Sequence, residues 1–162
     1  MSKNPEQLHL VRSIIESSGE KISEPHATNI VPGIWLGNVI SAQDRDFLNR
    51  YQIGCIINVS TIEYDKGSLE YYQIPLEDSD ACNTDLSELL MSGADMIDKA
   101  LRENKVVLIH CKKGHHRSAS VLALYLVKYQ NMDLPQAIYY IKQFRPNAFR
   151  RMACVVQTLN EF

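Results

Sequence analysis

The pattern of apolar and polar positions opens with a short helical stripe. Leu8, Val11, Ile14 and Ile15 share one face, Asn4 can cap the helix, Pro5, Glu6 and Gln7 fill its first turn, and Gly19 is a stop. Such a stripe packs either on the chain's own body or on a second copy; the first reading is the simpler one. Glu20 to Asn29 is polar, contains Pro25 and reads as a linker or arm rather than core. From Ile34 the pattern alternates between short strands and helices. Strands are predicted at Ile34–Leu36, Ile53–Val59, Glu70–Ile74 and Val106–His110, and helices near Ala42–Arg50, Leu86–Arg102, Ser118–Gln130, Leu134–Phe144 and Ala148–Asn160. Asp133 and Pro135 mark one helix start, and Pro146 separates the last two helices. The alternation predicts an α/β layer fold: a central, mostly parallel, twisted sheet flanked by helices, preceded by an N-terminal helical arm. We place the arm at residues 1–27 and the main domain at 28–162.

Composition narrows the picture by exclusion. With 162 residues, 45% of them apolar, the chain can bury its own core, which argues against disordered, collagen-like and repeat-array readings. The longest apolar run, Val121 to Val127, is far short of the ~20 residues of a membrane-spanning helix. The N-terminus lacks the apolar stretch of a signal peptide, so a cytoplasmic location is expected. Cys55, Cys82, Cys111 and Cys154 show no Cys-x-x-Cys pairing; free thiols are expected and a zinc site is disfavoured.

Charge is distributed unevenly. Residues 1–104 carry 8 basic and 17 acidic groups, net −9, while residues 105–162 carry 9 basic and 2 acidic, net +7. Either the two halves pair within the fold or the positive half holds an anionic ligand. The total of −2 does not suggest a nucleic-acid binder, whose usual footprint is a strongly basic domain.

The chemistry concentrates in Val106-Val107-Leu108-Ile109-His110-Cys111-Lys112-Lys113-Gly114-His115-His116-Arg117-Ser118. A buried strand delivers Cys111 into a short loop that runs straight into a helix N-terminus, where backbone N–H groups and the helix dipole converge on an anion. Gly114 permits a loop conformation that a Cβ would resist. Arg117 offers a planar fork matched to two phosphate oxygens. The same field lowers the Cys111 pKa and makes it a thiolate nucleophile. A lone buried cysteine is usually an inert small residue; the ordered context of strand, glycine, arginine, hydroxyl and helix points away from that.

His110-Cys111-Lys112-Lys113-Gly114-His115-His116-Arg117-Ser118 resembles the His-Cys-x5-Arg-Ser/Thr signature of cysteine-dependent protein phosphatases, in the form found in the small dual-specificity phosphatases. Trp35-Leu36-Gly37-Asn38 with Ala42, Ile56-Ile57-Asn58-Val59-Ser60, Ile74-Pro75-Leu76-Glu77-Asp78 and Asp133-Leu134-Pro135-Gln136-Ala137 agree in order and spacing. The resemblance covers about residues 28–162. It implies a protein-tyrosine-phosphatase-like fold and hydrolysis of phosphotyrosine and phosphoserine/phosphothreonine in proteins through a phosphocysteine intermediate, without metal or organic cofactor.

By that resemblance Cys111 attacks phosphorus while the amides of Lys112, Lys113, Gly114, His115, His116 and Arg117, with the Arg117 fork, hold the phosphate oxygens. Ser118 hydrogen-bonds the sulfur, and His110 braces the loop, although a hydrogen-bonded core histidine is the alternative. The family pattern places the general acid four residues after Ile74, at Asp78; counting back from Leu86 favours Asp80 instead. Lys112, Lys113, His115 and His116 either suit more highly charged substrates, such as inositol phospholipids or RNA 5′ phosphates, or point to solvent with only their amides engaged. The second is the simpler reading. The stretch from Phe144 to Arg151 is shorter than the family pattern, and a similar helical arm pairs subunits in some viral members, so a homodimer through the N-terminal helix is an expectation.

Overall fold

The computed structural model describes residues 4–79, 81–82 and 84–162. Its elements are α1 (Pro5–Glu16), β1 (Ala27–Val31), β2 (Ile34–Gly37), a 3₁₀ turn (Ser41–Gln43), α2 (Arg45–Arg50), β3 (Ile53–Asn58), β4 (Glu70–Gln73), α3 (Ser87–Arg102), β5 (Val106–His110), α4 (Arg117–Tyr129), α5 (Leu134–Phe144) and α6 (Cys154–Leu159). The sheet runs β1-β2-β5-β3-β4, antiparallel only at the β1–β2 edge.

Strand periodicity divides the core between the two faces of this sheet. Ile34, Leu36, Cys55, Ile57, Val107 and Ile109 face α3, α4, α5 and α6, while Ile56 and Leu108 face Ala42, Leu48 and the rings of Trp35 and Phe47. Helix α4, buried from Arg117 to Leu126, is the inner helix of the larger layer. This placement leaves the C-terminal end of β5 and the N-terminus of α4 facing each other at the middle of the sheet, the usual position for a ligand in an α/β fold.

The helical stripe of the arm packs on the chain's own body, the simpler of the two readings. Asn4 caps α1 as predicted, its side chain accepting from the Gln7 amide at 2.9 Å. The stripe residues Val11 and Ile15 are buried within the chain's main core, and α1 packs on α5. Residues 27–29, assigned to the polar arm, instead begin edge strand β1, in which only Ile30 is buried; a strand with one inward side chain leaves little apolar periodicity to detect. The helix predicted over Ala42–Arg50 breaks at Asp44, which caps α2 by accepting from the Phe47 amide. The last helix, expected from Ala148, begins only at Cys154. Ala148 and Phe149 are buried through irregular backbone, Phe149 at φ 56°, so their apolarity serves the core without helical spacing.

A further correction concerns the cysteines. Cys55 and Cys111 are free, but Cys82 and Cys154 form a disulfide with Cα atoms 5.0 Å apart, across 72 residues of sequence. Motif spacing detects only neighbouring pairs, so sequence offered no sign of it. The disulfide ties the loop after Asp78 to the first residue of α6, and the Cys154 amide also donates to the Ser79 carbonyl at 2.9 Å. Constraining so long a loop stabilises by about 2–4 kcal/mol. A thiol reductant, or Cys82→Ser, is therefore expected to lower the thermal midpoint; an unchanged midpoint in both would show that the link contributes nothing.

Candidate active site

Between His110 at the end of β5 and Arg117 at the start of α4, four successive carbonyls of the loop are bonded to groups outside it. Lys112 O accepts from the Val39 amide at 3.1 Å, Lys113 O and Gly114 O from the Arg145 guanidinium at 3.1 Å each, and His115 O from the Phe149 amide at 2.9 Å. Because each trans peptide is planar, a carbonyl turned outward turns the following N–H inward. The Gly114 amide accordingly donates to Cys111 Sγ at 3.3 Å. Gly114 itself is required twice over: its φ is +75°, and a Cβ there would sit 2.6 Å from the Gly37 carbonyl oxygen.

Cys111 lies at the centre of this nest, 3% exposed, lining a cavity of about 410 Å³. Burial alone would raise its thiol pKa. The Ser118 hydroxyl, donating to Sγ at 3.1 Å, the Ser118 amide, the Arg117 charge and the Gly114 amide outweigh it, and the thiol is held below its ordinary value. Arg117 is anchored by Nη1 donating to the Leu76 carbonyl at 2.9 Å and lines the same cavity.

His110 is a buried, hydrogen-bonded histidine whose ring also contacts the loop. Its ring is fully buried, with Nδ1 3.0 Å from the Cys111 carbonyl and Nε2 2.7 Å from the Tyr64 hydroxyl. Burial, opposed by the Cys111 carbonyl and aided by the Arg117 charge, pushes its pKa down to about 4, so the ring is neutral at pH 7. A carbonyl only accepts, hence Nδ1 carries the proton and Nε2 accepts from Tyr64. Tyr64 thus fixes the tautomer that braces the loop, and no motif in the sequence marked it.

Asp78 is brought to the cavity wall, whereas Asp80 lies outside the described residues. The Asp78 carboxylate accepts from Arg151 at 2.7 Å. Burial raises its pKa, but the Arg151 hydrogen bond and charge, with His116 and Arg117, bring it below the usual carboxylate value. Arg150 and Arg151, which sequence reasoning placed in a shortened tail of unassigned role, both line the cavity. So does Lys21 of the arm.

Lys112 and Lys113 are exposed, in keeping with the simpler reading of the loop's side chains. His115 and His116 contradict it, being only 7% and 6% exposed. His115 Nε2 contacts the Glu24 carboxylate, and His116 Nε2 accepts from the Arg150 amide at 3.2 Å. Their partners lie 91 and 34 residues away, beyond the range of any local pattern.

The dual specificity phosphatase catalytic domain family matches residues 34–162. Dual specificity protein phosphatase 5 of Rattus norvegicus is 36% identical over 118 residues, 72% of this chain and 30% of that protein. The chain thus spans about a third of the length of the first curated relatives it matches. Among solved structures, DUSP15 superposes with a TM-score of 0.77 at 26% identity, over 84% of this chain and 86% of that one. OH1 from the Orf virus, described as a tyrosine phosphatase, does so with 0.70 at 20% identity over 94% of both, which shows the shared fold. Family match and fold agree: the chain belongs to the dual specificity phosphatase catalytic domain family.

Proposed function

We propose that this chain hydrolyses phosphotyrosine and phosphoserine/phosphothreonine in proteins through a phosphocysteine intermediate. The observation that carries the reading is Cys111 Sγ, hydrogen-bonded by the Ser118 hydroxyl and the Gly114 amide, lining a cationic cavity together with Arg117 and Asp78. Cys111 Sγ attacks phosphorus as the bond to the leaving oxygen breaks, and that oxygen takes the proton of the Asp78 carboxyl. The inward amides and Arg117 hold the three equatorial oxygens throughout. Water then attacks the phosphocysteine and gives its proton to Asp78. The S–P bond breaks, inorganic phosphate departs, and the Ser118 hydroxyl holds the returning thiolate.

Release of phosphate from phosphotyrosyl and phosphothreonyl peptides, with acid-quench trapping of a phosphoenzyme, tests the proposal. Tight phosphopeptide binding without turnover would make the chain a phosphoprotein-binding module instead. Asp78→Asn is expected to slow poor alkoxide leaving groups by about 10²–10⁴-fold and a good aryl leaving group far less. If Asp80→Asn does this instead, Asp80 is the acid. Since the acid acts protonated and Arg151 lowers its pKa, activity falls as pH rises through that pKa. Arg151→Met raises the pKa and moves the alkaline limb of the profile to higher pH.

A specific feature of the cavity favours a second reading. Lys21, Lys112 and Lys113 make no ion pair among the described residues, and apart from the imidazoles of His115 and His116 no aromatic or aliphatic side chain is among the described residues lining the cavity. Such a wall suits a phosphate flanked by further phosphates, as on an inositol phospholipid or an RNA 5′ end. Rates on these and on phosphopeptides at equal concentration separate the readings. Pairing of two copies remains part of the proposal. With Val11 and Ile15 covered by the chain itself, it would use the outer face of α1, where Leu10 is half exposed. The solution mass with and without residues 1–20 tests it.

A further inference from the structure

Several contacts converge on one arm residue that lies outside the family-matched stretch. Glu24 Oε1 contacts His115 Nε2 and lies 3.4 Å from Arg145 Nη2; its Oε2 is buried without a hydrogen-bond partner. The Arg145 side chain is wholly buried, and its other partners are neutral: the carbonyls of Lys113, Gly114 and Pro25 and the Thr28 hydroxyl. Among the described residues Glu24 is thus the one carboxylate paired with this guanidinium, and a buried charge without a counter-charge is strongly unfavourable. Around Glu24 the arm is fixed at two further points, by Asn147 bonding both backbone groups of Ile22 and by Arg150 donating to the Gly19 carbonyl.

From this geometry we infer that Glu24 is a positioning residue of the active site, and that the arm is part of the catalytic unit rather than a linker. Glu24 fixes Arg145; Arg145 holds the carbonyls of Lys113 and Gly114 outward; the amides of Gly114 and His115 are thereby aimed at the phosphate position. Through His115 the same carboxylate also grips the loop directly. The inference rests on the phosphatase reading of the loop, and it extends the functional unit beyond the boundary at residue 27.

Charge and position predict opposite signs here, which makes the test sharp. Removing a negative charge beside the site would by itself tighten anion binding, whereas loosening the amide nest weakens it. The probe is inorganic phosphate, read by its protection of Cys111 from iodoacetamide and followed by mass spectrometry in the folded protein. Glu24→Gln is expected to raise the half-protecting phosphate concentration about 10-fold. Glu24→Asp, which keeps the charge on a shorter stem, should fall between it and the wild type. Equal or tighter phosphate binding in Glu24→Gln overturns the inference. If Glu24→Gln does not fold, Glu24→Asp alone decides by the same sign. Failure of phosphate to protect the wild type would instead remove the proposed function, so the two failures are distinguishable.

Discussion

Replacing Cys111 with serine is expected to lower kcat by more than about 10⁴-fold while leaving the fold unchanged. The reaction depends on an ionised nucleophile, and the surroundings of Sγ hold the thiol below its ordinary pKa. A serine hydroxyl starts many pH units higher, and the same contacts cannot ionise it near neutrality. Folding should be spared, because Ser118 and the Gly114 amide already present hydrogen-bonding groups to that position and leave a buried hydroxyl satisfied. Steady-state turnover and thermal melting of the variant check both halves. Rates like the wild type's would end the covalent mechanism. Independently, alkylation of Cys111 should proceed at neutral pH, and reversible inactivation by peroxide should accompany it.

How far this site could be read without coordinates depends on the sequence distance between partners. Cys111, Gly114, Arg117 and Ser118 lie within eight consecutive residues, and the physics that joins them is local: a strand end, a positive-φ glycine and a helix N-terminus. The strands β3 and β5 were equally legible, because runs buried at all but one position, Ile53–Asn58 and Val106–His110, carry a strong apolar signal. Asp78 needed the family resemblance, since an acidic turn has no pattern that selects one carboxylate from its neighbours.

The outer ring of the site was not legible. Arg145 holds loop carbonyls 31 and 32 residues away, Tyr64 meets His110 across 46, and Glu24 meets His115 across 91. Each resembles an ordinary surface residue in sequence, and only the fold brings it to the loop. The arm shows both cases: Glu20, Lys21, Ser23 and Pro25 are exposed, as a polar stretch suggests, whereas Glu24 is turned against Arg145 and His115, a placement that composition does not reveal.

Arg117→Ala is expected to cost about 10³–10⁵-fold in kcat/KM, the range found when an arginine is removed from a phosphoryl-transfer site. Two losses combine in it. The planar fork no longer meets the equatorial oxygens as charge redistributes, and the Leu76 carbonyl, now bonded to Nη1 at 2.9 Å, is left without that donor two residues from Asp78. The second loss can move the loop that carries Asp78, the proposed acid, so alanine alone does not isolate the first. Arg117→Lys separates them: the ammonium preserves the charge but offers no fork. Should charge alone matter, lysine would restore activity to within about tenfold of the wild type; should paired, planar donation matter, lysine would stay close to alanine. The inward amides already supply a generally attractive field, so what Arg117 adds is direction. We therefore expect Arg117→Lys to remain at least about 10²-fold below the wild type, measured with an aryl phosphate whose good leaving group makes the rate insensitive to any shift of Asp78.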